Sequence, residues 1–179
     1  AMRDFHVPGR SPVLATGGMC ATSHPLAAQV AVDILQRGGN AMDAAVAGAV
    51  LLGICEPQMT GLGGDCFALF NPGGGDRIAA LNGSGRAPAA ARAADLRQAG
   101  HETVPVNGAD AVTIPGAVDA FCRLSAAHGR LGLDALLAPA IRYAEEGVPV
   151  APRVAFDLAR AGERLQGHGI THFTHGGAP

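Results

Sequence analysis

Gly38-Gly39-Asn40-Ala41-Met42-Asp43-Ala44-Ala45-Val46-Ala47-Gly48-Ala49-Val50-Leu51-Leu52 is the stretch whose reading decides the fold. The glycine pair supplies a left-handed end for a helix before it. Asn40 caps a helix after it, and Asp43 falls in the first turn, where the helix dipole favours an acid. From Ala44 to Ile54 the second helix is apolar on every side, so it offers no face to water and is expected to be buried between layers.

Upstream, Ser23 reads as an N-cap before Pro25, and Leu26, Val30, Ile34 with Ala27, Ala31, Leu35 form one apolar stripe. Gln29, Asp33, Gln36 and Arg37 take the opposite face, so this first helix is amphipathic. Downstream, Glu56-Pro57 leads into the loop Met59 to Asp65, and Cys66-Phe67-Ala68-Leu69-Phe70 is an apolar run of strand length. Asn71 to Asp76 reads as a turn and Arg77 to Leu81 as the returning strand of a hairpin.

Beyond residue 88 the chain is helix-rich, with segments expected at Ala89 to Gln98, Ala117 to His128, Asp134 to Glu146 and Arg153 to Leu165. In the third, Leu136, Leu137, Ala140, Ile141 and Ala144 form the core stripe, and Pro139 is expected to kink the helix or restart it. From Gly167 to Pro179 there is no periodicity, and a loop is expected. Two helices, a hairpin and more helices give no repeated strand-helix alternation, so the fold class is α+β, not a doubly wound parallel sheet.

Composition narrows the function classes. Hydrophobic residues make up 48% against 16% charged, which argues for a packed domain. Gly is abundant, Trp is absent and Ala is plentiful, so close backbone packing replaces a core of large aromatics. A formal net charge of -2 gives no basic field for a phosphate backbone, so no nucleic-acid partner is expected. Cys20, Cys55, Cys66 and Cys122 form no CxxC pair and are expected to be reduced, mostly buried thiols. The apolar run from Ala44 to Ile54 is too short to span a bilayer. Ala1 reads as a tag scar before a native Met2, and the expected location is cytoplasmic, or periplasmic if a leader is removed.

Gly61-Leu62-Gly63-Gly64 invites a phosphate-loop reading, but that mechanism needs a helix N-terminus after the loop, and here a strand follows. The glycines are expected instead to let the backbone pass close to another layer or a ligand. His168, His172 and His175 would share a face on a helix and could hold a metal, yet their glycine-rich setting favours a solvated loop; no metal or organic cofactor is expected. Ser84 lacks the outer glycines of a nucleophile elbow. Arg86, beside a glycine-rich turn at a strand end, either grips a carboxylate with two parallel bonds or is a surface or capping arginine.

Several blocks together resemble the gamma-glutamyltranspeptidases and their acylase-like relatives. These are Ala27 to Leu35 leading into Gly38 to Ala45, Glu56-Pro57-Gln58 with Gly61 to Gly64, Arg86-Ala87-Pro88, Thr113 to Val118, and Leu137 to Ile141 followed by Glu145-Glu146-Gly147. The resemblance runs in order from about Gly18 to Val150.

That resemblance implies the N-terminal part of the large subunit of an N-terminal nucleophile hydrolase, a four-layer αββα sandwich whose precursor cuts itself in two. Residues 1–179 would then be a single incomplete domain. The implied nucleophile is the threonine that begins the small subunit, so no catalytic residue lies in this chain. The implied partners are that small subunit and a small-molecule amide, with a homo-oligomer of the processed heterodimer left open. The implied chemistry is cleavage of a gamma-glutamyl or related carboxylate-bearing amide through a threonine acyl-enzyme, with transfer to water or an amine, as in glutathione metabolism.

In glutathione-cleaving members an arginine of the large subunit binds the glutamyl α-carboxylate. Aligned without a gap on Ala87-Pro88, its place is taken by Ser84, and Arg86 lies two positions later. Ser84 and Arg86 are therefore the candidate substrate-binding residues, and Gly-Ser-Gly-Arg-Ala-Pro looks closer to the acylase-like and oxamate amidohydrolase-like branch. The competing reading is a non-catalytic binding or structural protein that keeps the fold; an intact downstream threonine separates the two.

Overall fold

A computed structural model describes residues 12–161, 165 and 167–174. The elements along the chain are α1 (Pro25–Gln36), α2 (Ala41–Cys55), β1 (Cys66–Phe70), β2 (Ala79–Gly83), α3 (Ala93–Gln98), α4 (Ala117–His128), α5 (Leu133–Glu146), α6 (Pro152–Ala161) and α7 (His168–Phe173). A short 3-10 turn spans Ala109–Ala111. The class is α+β, as expected, with one antiparallel hairpin among the described residues. The chain divides into two compact units, residues 1–60 with 129–179 and residues 61–128.

In the first unit α2 packs against both α1 and α5, which is how its all-round apolar surface is covered. Small residues set the spacing. A Cβ on Gly48 would stand 3.5 Å from the Ala27 carbonyl and 3.7 Å from the Ala31 methyl, so α1 and α2 approach closely. Ile34, Leu51 and Leu136 are fully buried at this junction, and truncating any one to Ala costs roughly 2–5 kcal/mol.

Asn40 closes a complete capping box with Asp43. Asp43 does more than complement the dipole: it is fully buried, and its carboxylate accepts from the backbone N–H groups of Asn40 (2.9 Å), Arg130 (2.9 Å) and Leu131 (3.3 Å). Between the helices Gly38 takes a φ of +93°, as the sequence required. A Cβ on Gly39 would press into Ile34 and Leu131.

Several local expectations shift. His24, not Ser23, caps α1, its Nδ1 accepting from the Leu26 N–H at 3.2 Å, because Ser23 turns its hydroxyl to Glu56 instead. α5 starts at Leu133 and runs unbroken through Pro139. Of its stripe, Leu136 and Ala140 are buried, while Ile141 is 52% exposed and Ala144 is also exposed. α6 ends at Ala161, leaving Leu165 outside it. A six-residue helix, α7, replaces the first part of the loop expected from Gly167 to Pro179, with the His168 and His172 rings stacked at 6.3 Å; residues 175–179 of that loop lie outside the described residues. His175 and the Ala1–Met2 start lie outside the described residues.

In the second unit β1 and β2 pair with Cys66 opposite Gly83 and Phe70 opposite Ala79. The return strand is therefore Ala79–Gly83, two residues later than expected, because Asn71 organises a longer loop. Its side chain accepts from the Gly73 and Gly74 N–H groups at 3.1 and 2.7 Å and donates to the Gly75 carbonyl at 2.6 Å. α4 covers the half-buried face of the hairpin, with Phe70 against His128 at 4.6 Å. On the other face Phe67 and Leu69 are 69% and 80% exposed. α3 begins at Ala93 rather than Ala89, after a turn in which the Ala91 N–H reaches the Pro88 carbonyl.

Candidate functional site

The hairpin register brings the two ends of the strand pair together, so the Gly61–Asp65 loop before β1 meets the Gly83–Arg86 segment after β2. The Asp65 carboxylate accepts the Gly85 N–H at 2.7 Å and ties the two loops. A third segment, Thr113 to Ala117, lies alongside: the Ile114 N–H donates to the Arg86 carbonyl at 2.9 Å, and the Gly116 and Ala117 N–H groups both donate to the Gly64 carbonyl at 3.0 and 2.9 Å.

The approach is so close that side chains cannot fit. A Cβ on Gly85 would overlap the Ile114 carbonyl, and one on Gly116 would overlap the Gly83 carbonyl oxygen. One on Gly83 would stand 2.6 Å from the Ala120 methyl. Gly83, Gly85 and Gly116 are therefore required by backbone packing. In the glycine-rich loop itself a Cβ on Gly61 or Gly63 would meet open space and one on Gly64 would stand 3.5 Å from the Gly61 carbonyl, so the steric need expected there falls on the facing segments instead. β1 follows that loop directly, leaving no helix N-terminus to receive a phosphate there.

On this rigid cluster Ser84 and Arg86 are both exposed, on either side of Gly85. The Ser84 N–H is held by the Asn82 side chain at 2.9 Å, whereas its hydroxyl lies 3.5 Å from the Gly85 carbonyl, beyond a good O–H···O bond. The Arg86 guanidinium makes no ion pair among the described residues. A fixed backbone thus presents a hydroxyl and a five-donor guanidinium, groups suited to a carboxylate. Asp65 was not singled out from the sequence; the one signal was an acid placed directly after the glycine run.

Other chemistry is sparse. Burial pushes the Cys66 thiol up, which keeps it protonated near neutral pH and a poor nucleophile. Cys55 is buried, Cys20 and Cys66 are half-buried and Cys122 is exposed, so the thiols are less buried than expected; none is paired. Among the described residues no group of three potential ligands could hold a metal ion. No described helix is long and apolar enough to cross a membrane.

The sequence profile of the gamma-glutamyltranspeptidases matches residues 27–178. The chain belongs to the gamma-glutamyltranspeptidase family. Among its relatives, a glutathione hydrolase-like proenzyme of Bacillus subtilis is 41% identical over 140 residues, covering 78% of this chain and 26% of that protein. An oxamate amidohydrolase proenzyme of Klebsiella pneumoniae is 39% identical over 176 residues, covering 93% and 33%. The gamma-glutamyltranspeptidase of Helicobacter pylori superposes with a TM-score of 0.86 at 31% identity, covering 93% of this chain and 50% of that one. A cephalosporin acylase from Bacillus halodurans gives 0.75 at 43% identity, covering 89% and 31%. The chain thus spans only a quarter to a third of the two relatives compared by sequence. Within this family member, the blocks Gly61 to Gly64, Gly83 to Pro88 and Thr113 to Ala117 are far apart in sequence and converge in one loop cluster.

Proposed function

We propose that this chain is the N-terminal portion of the large subunit of an autoprocessed amidohydrolase or acyltransferase, and that its loop cluster holds the carboxylate end of an amide substrate. The observation that carries this reading is the Asp65 to Gly85 clamp, which fixes Ser84 and Arg86 at the rim of a packed glycine cluster in a family member. In the proposed reaction a threonine at the start of the small subunit attacks the amide carbonyl, its own amine taking the proton. The amine leaving group departs, and water or another amine releases the acyl group.

The bare apolar face of the hairpin, with Phe67 and Leu69 exposed, supports a further layer over it, as the αββα sandwich requires. Similarity to the oxamate amidohydrolase proenzyme, together with Ser84 at the arginine position of glutathione-cleaving members, favours a small carboxylate-bearing amide over a gamma-glutamyl peptide. The test is a panel of oxamate, related oxo-acid amides and gamma-glutamyl anilides offered to the full-length protein. Turnover of the short carboxylate amides with little of the anilide is expected, and no turnover of any of them counts against the proposal.

A further inference from the structure

In the first unit a cleft of about 680 Å3 is lined by Ser23, Glu56, Gln58, Thr60, Arg153 and Asp157 among others. Its charges are not balanced. Asp157 is matched by the Arg153 guanidinium at 2.9 Å, one turn away on α6. Glu56 has no such partner: the ion pairs among the described residues are Arg37 with Asp33, Arg123 with Asp119 and Arg153 with Asp157.

Glu56 is nevertheless only 6% exposed, and it sits at the C-cap of α2, where the helix carbonyls already leave partial negative charge. Its hydrogen-bond partner is the Ser23 hydroxyl, which donates its one O–H to Oε2 at 2.5 Å. Two residues on, the Gln58 Oε1 is buried with no donor facing it. A buried acid at the negative end of a helix and an unmet amide oxygen share one need, a positively charged group carrying several N–H donors. An anion would be repelled there, and an apolar group would leave the Gln58 oxygen unmet and the Glu56 charge unbalanced.

We infer that this cleft is a binding site for an alkylammonium or alkylguanidinium group, held between the Glu56 carboxylate and the Gln58 amide oxygen. The group comes either from a free amine or from a Lys or Arg side chain elsewhere in the full-length protein. This reading does not depend on the carboxylate-binding role of Ser84 and Arg86.

The experiment measures Tm of the full-length protein for wild type, Glu56→Gln and Glu56→Asp, each with n-butylammonium chloride and with sodium chloride at matched ionic strength. If the cation is the protein's own, Glu56→Gln, which is isosteric, lowers Tm; Glu56→Asp, which keeps the charge, recovers part of the loss; and n-butylammonium is silent. If the cation is free, n-butylammonium raises the wild-type Tm and Glu56→Gln abolishes that response. A Glu56→Gln protein at or above wild-type Tm with no amine response in either protein overturns the inference. A Glu56→Asp protein less stable than Glu56→Gln, again with no amine response, does so as well, because it marks a steric role.

Discussion

The Asp43 carboxylate accepts the Arg130 backbone N–H through both oxygens, at 3.1 and 2.9 Å, across 87 residues of sequence. One buried side chain therefore caps α2 and also fixes the segment that leads into α5. Asp43→Asn keeps the shape but turns an amide donor toward those N–H groups. A loss of about 2–4 kcal/mol is expected, from weakened charge-assisted bonds and an unmet buried group. Denaturant unfolding of the full-length protein checks this, and a change within about 0.5 kcal/mol, the range of ordinary surface substitutions, would show that the anchor carries no weight.

Asp65 positions the loop that bears Ser84 and Arg86. Asp65→Ala removes the acceptor of the Gly85 N–H and is expected to cost about 0.5–1.5 kcal/mol of stability, the net value of a solvent-accessible hydrogen bond. It should also raise KM for a carboxylate amide while leaving kcat within a few-fold. Gly85→Ala, which drives a methyl into the Ile114 carbonyl, should be worse on both counts. Equal KM values for wild type and Asp65→Ala would separate the clamp from substrate binding.

Arg86→Ala is expected to raise KM by roughly ten- to a hundred-fold, the equivalent of about 1.5–3 kcal/mol for a charge-assisted contact. Arg86→Lys should recover only part, since an ammonium cannot make the paired bonds of a guanidinium. Steady-state kinetics on a carboxylate amide and on its ester-capped analogue tests the assignment. A loss confined to the free carboxylate supports it, and an unchanged KM removes it.

Cys55 gives a pH dependence of known sign. Burial first, and the neighbouring Glu56 second, push its thiol above the ordinary 9.0. The unfolded thiol ionises before the folded one, so the contribution to stability is fully present below about pH 9 and is lost as pH rises through the folded value. Denaturant midpoints between pH 8 and 10.5 should fall more steeply for wild type than for Cys55→Ala. Alkylation by iodoacetamide should reach the exposed Cys122 before the buried Cys55.

How much of this was legible in the residues follows from how local each signal is. The Gly38 turn, the Asn40 cap, the burial of α2 and strand β1 are set by neighbours within one or two turns, and the sequence shows them. The two-residue shift of β2 was hidden because a shift of two keeps the same side chains on the same face, so alternation alone cannot separate Arg77 to Leu81 from Ala79 to Gly83. The His24 cap, the Arg130 anchor and the Asp65 clamp depend on partners 2, 87 and 20 residues away, and the last two lie beyond any periodic pattern. Arg86 could be singled out from its place beside a glycine-rich turn at a strand end, whereas Ser84 joined it as a substrate-binding candidate only through the family pattern. Nothing in the residues around Glu56 signalled a charge that lacks a partner, because that depends on what fails to approach it in space.

Intact-mass and N-terminal mass spectrometry of the full-length protein tests the central claim most directly. The account predicts two polypeptides, the second beginning at threonine, with masses that add up to the encoded precursor plus one water. A single uncut chain that is also inert toward carboxylate amides would contradict it and bring the non-catalytic reading forward.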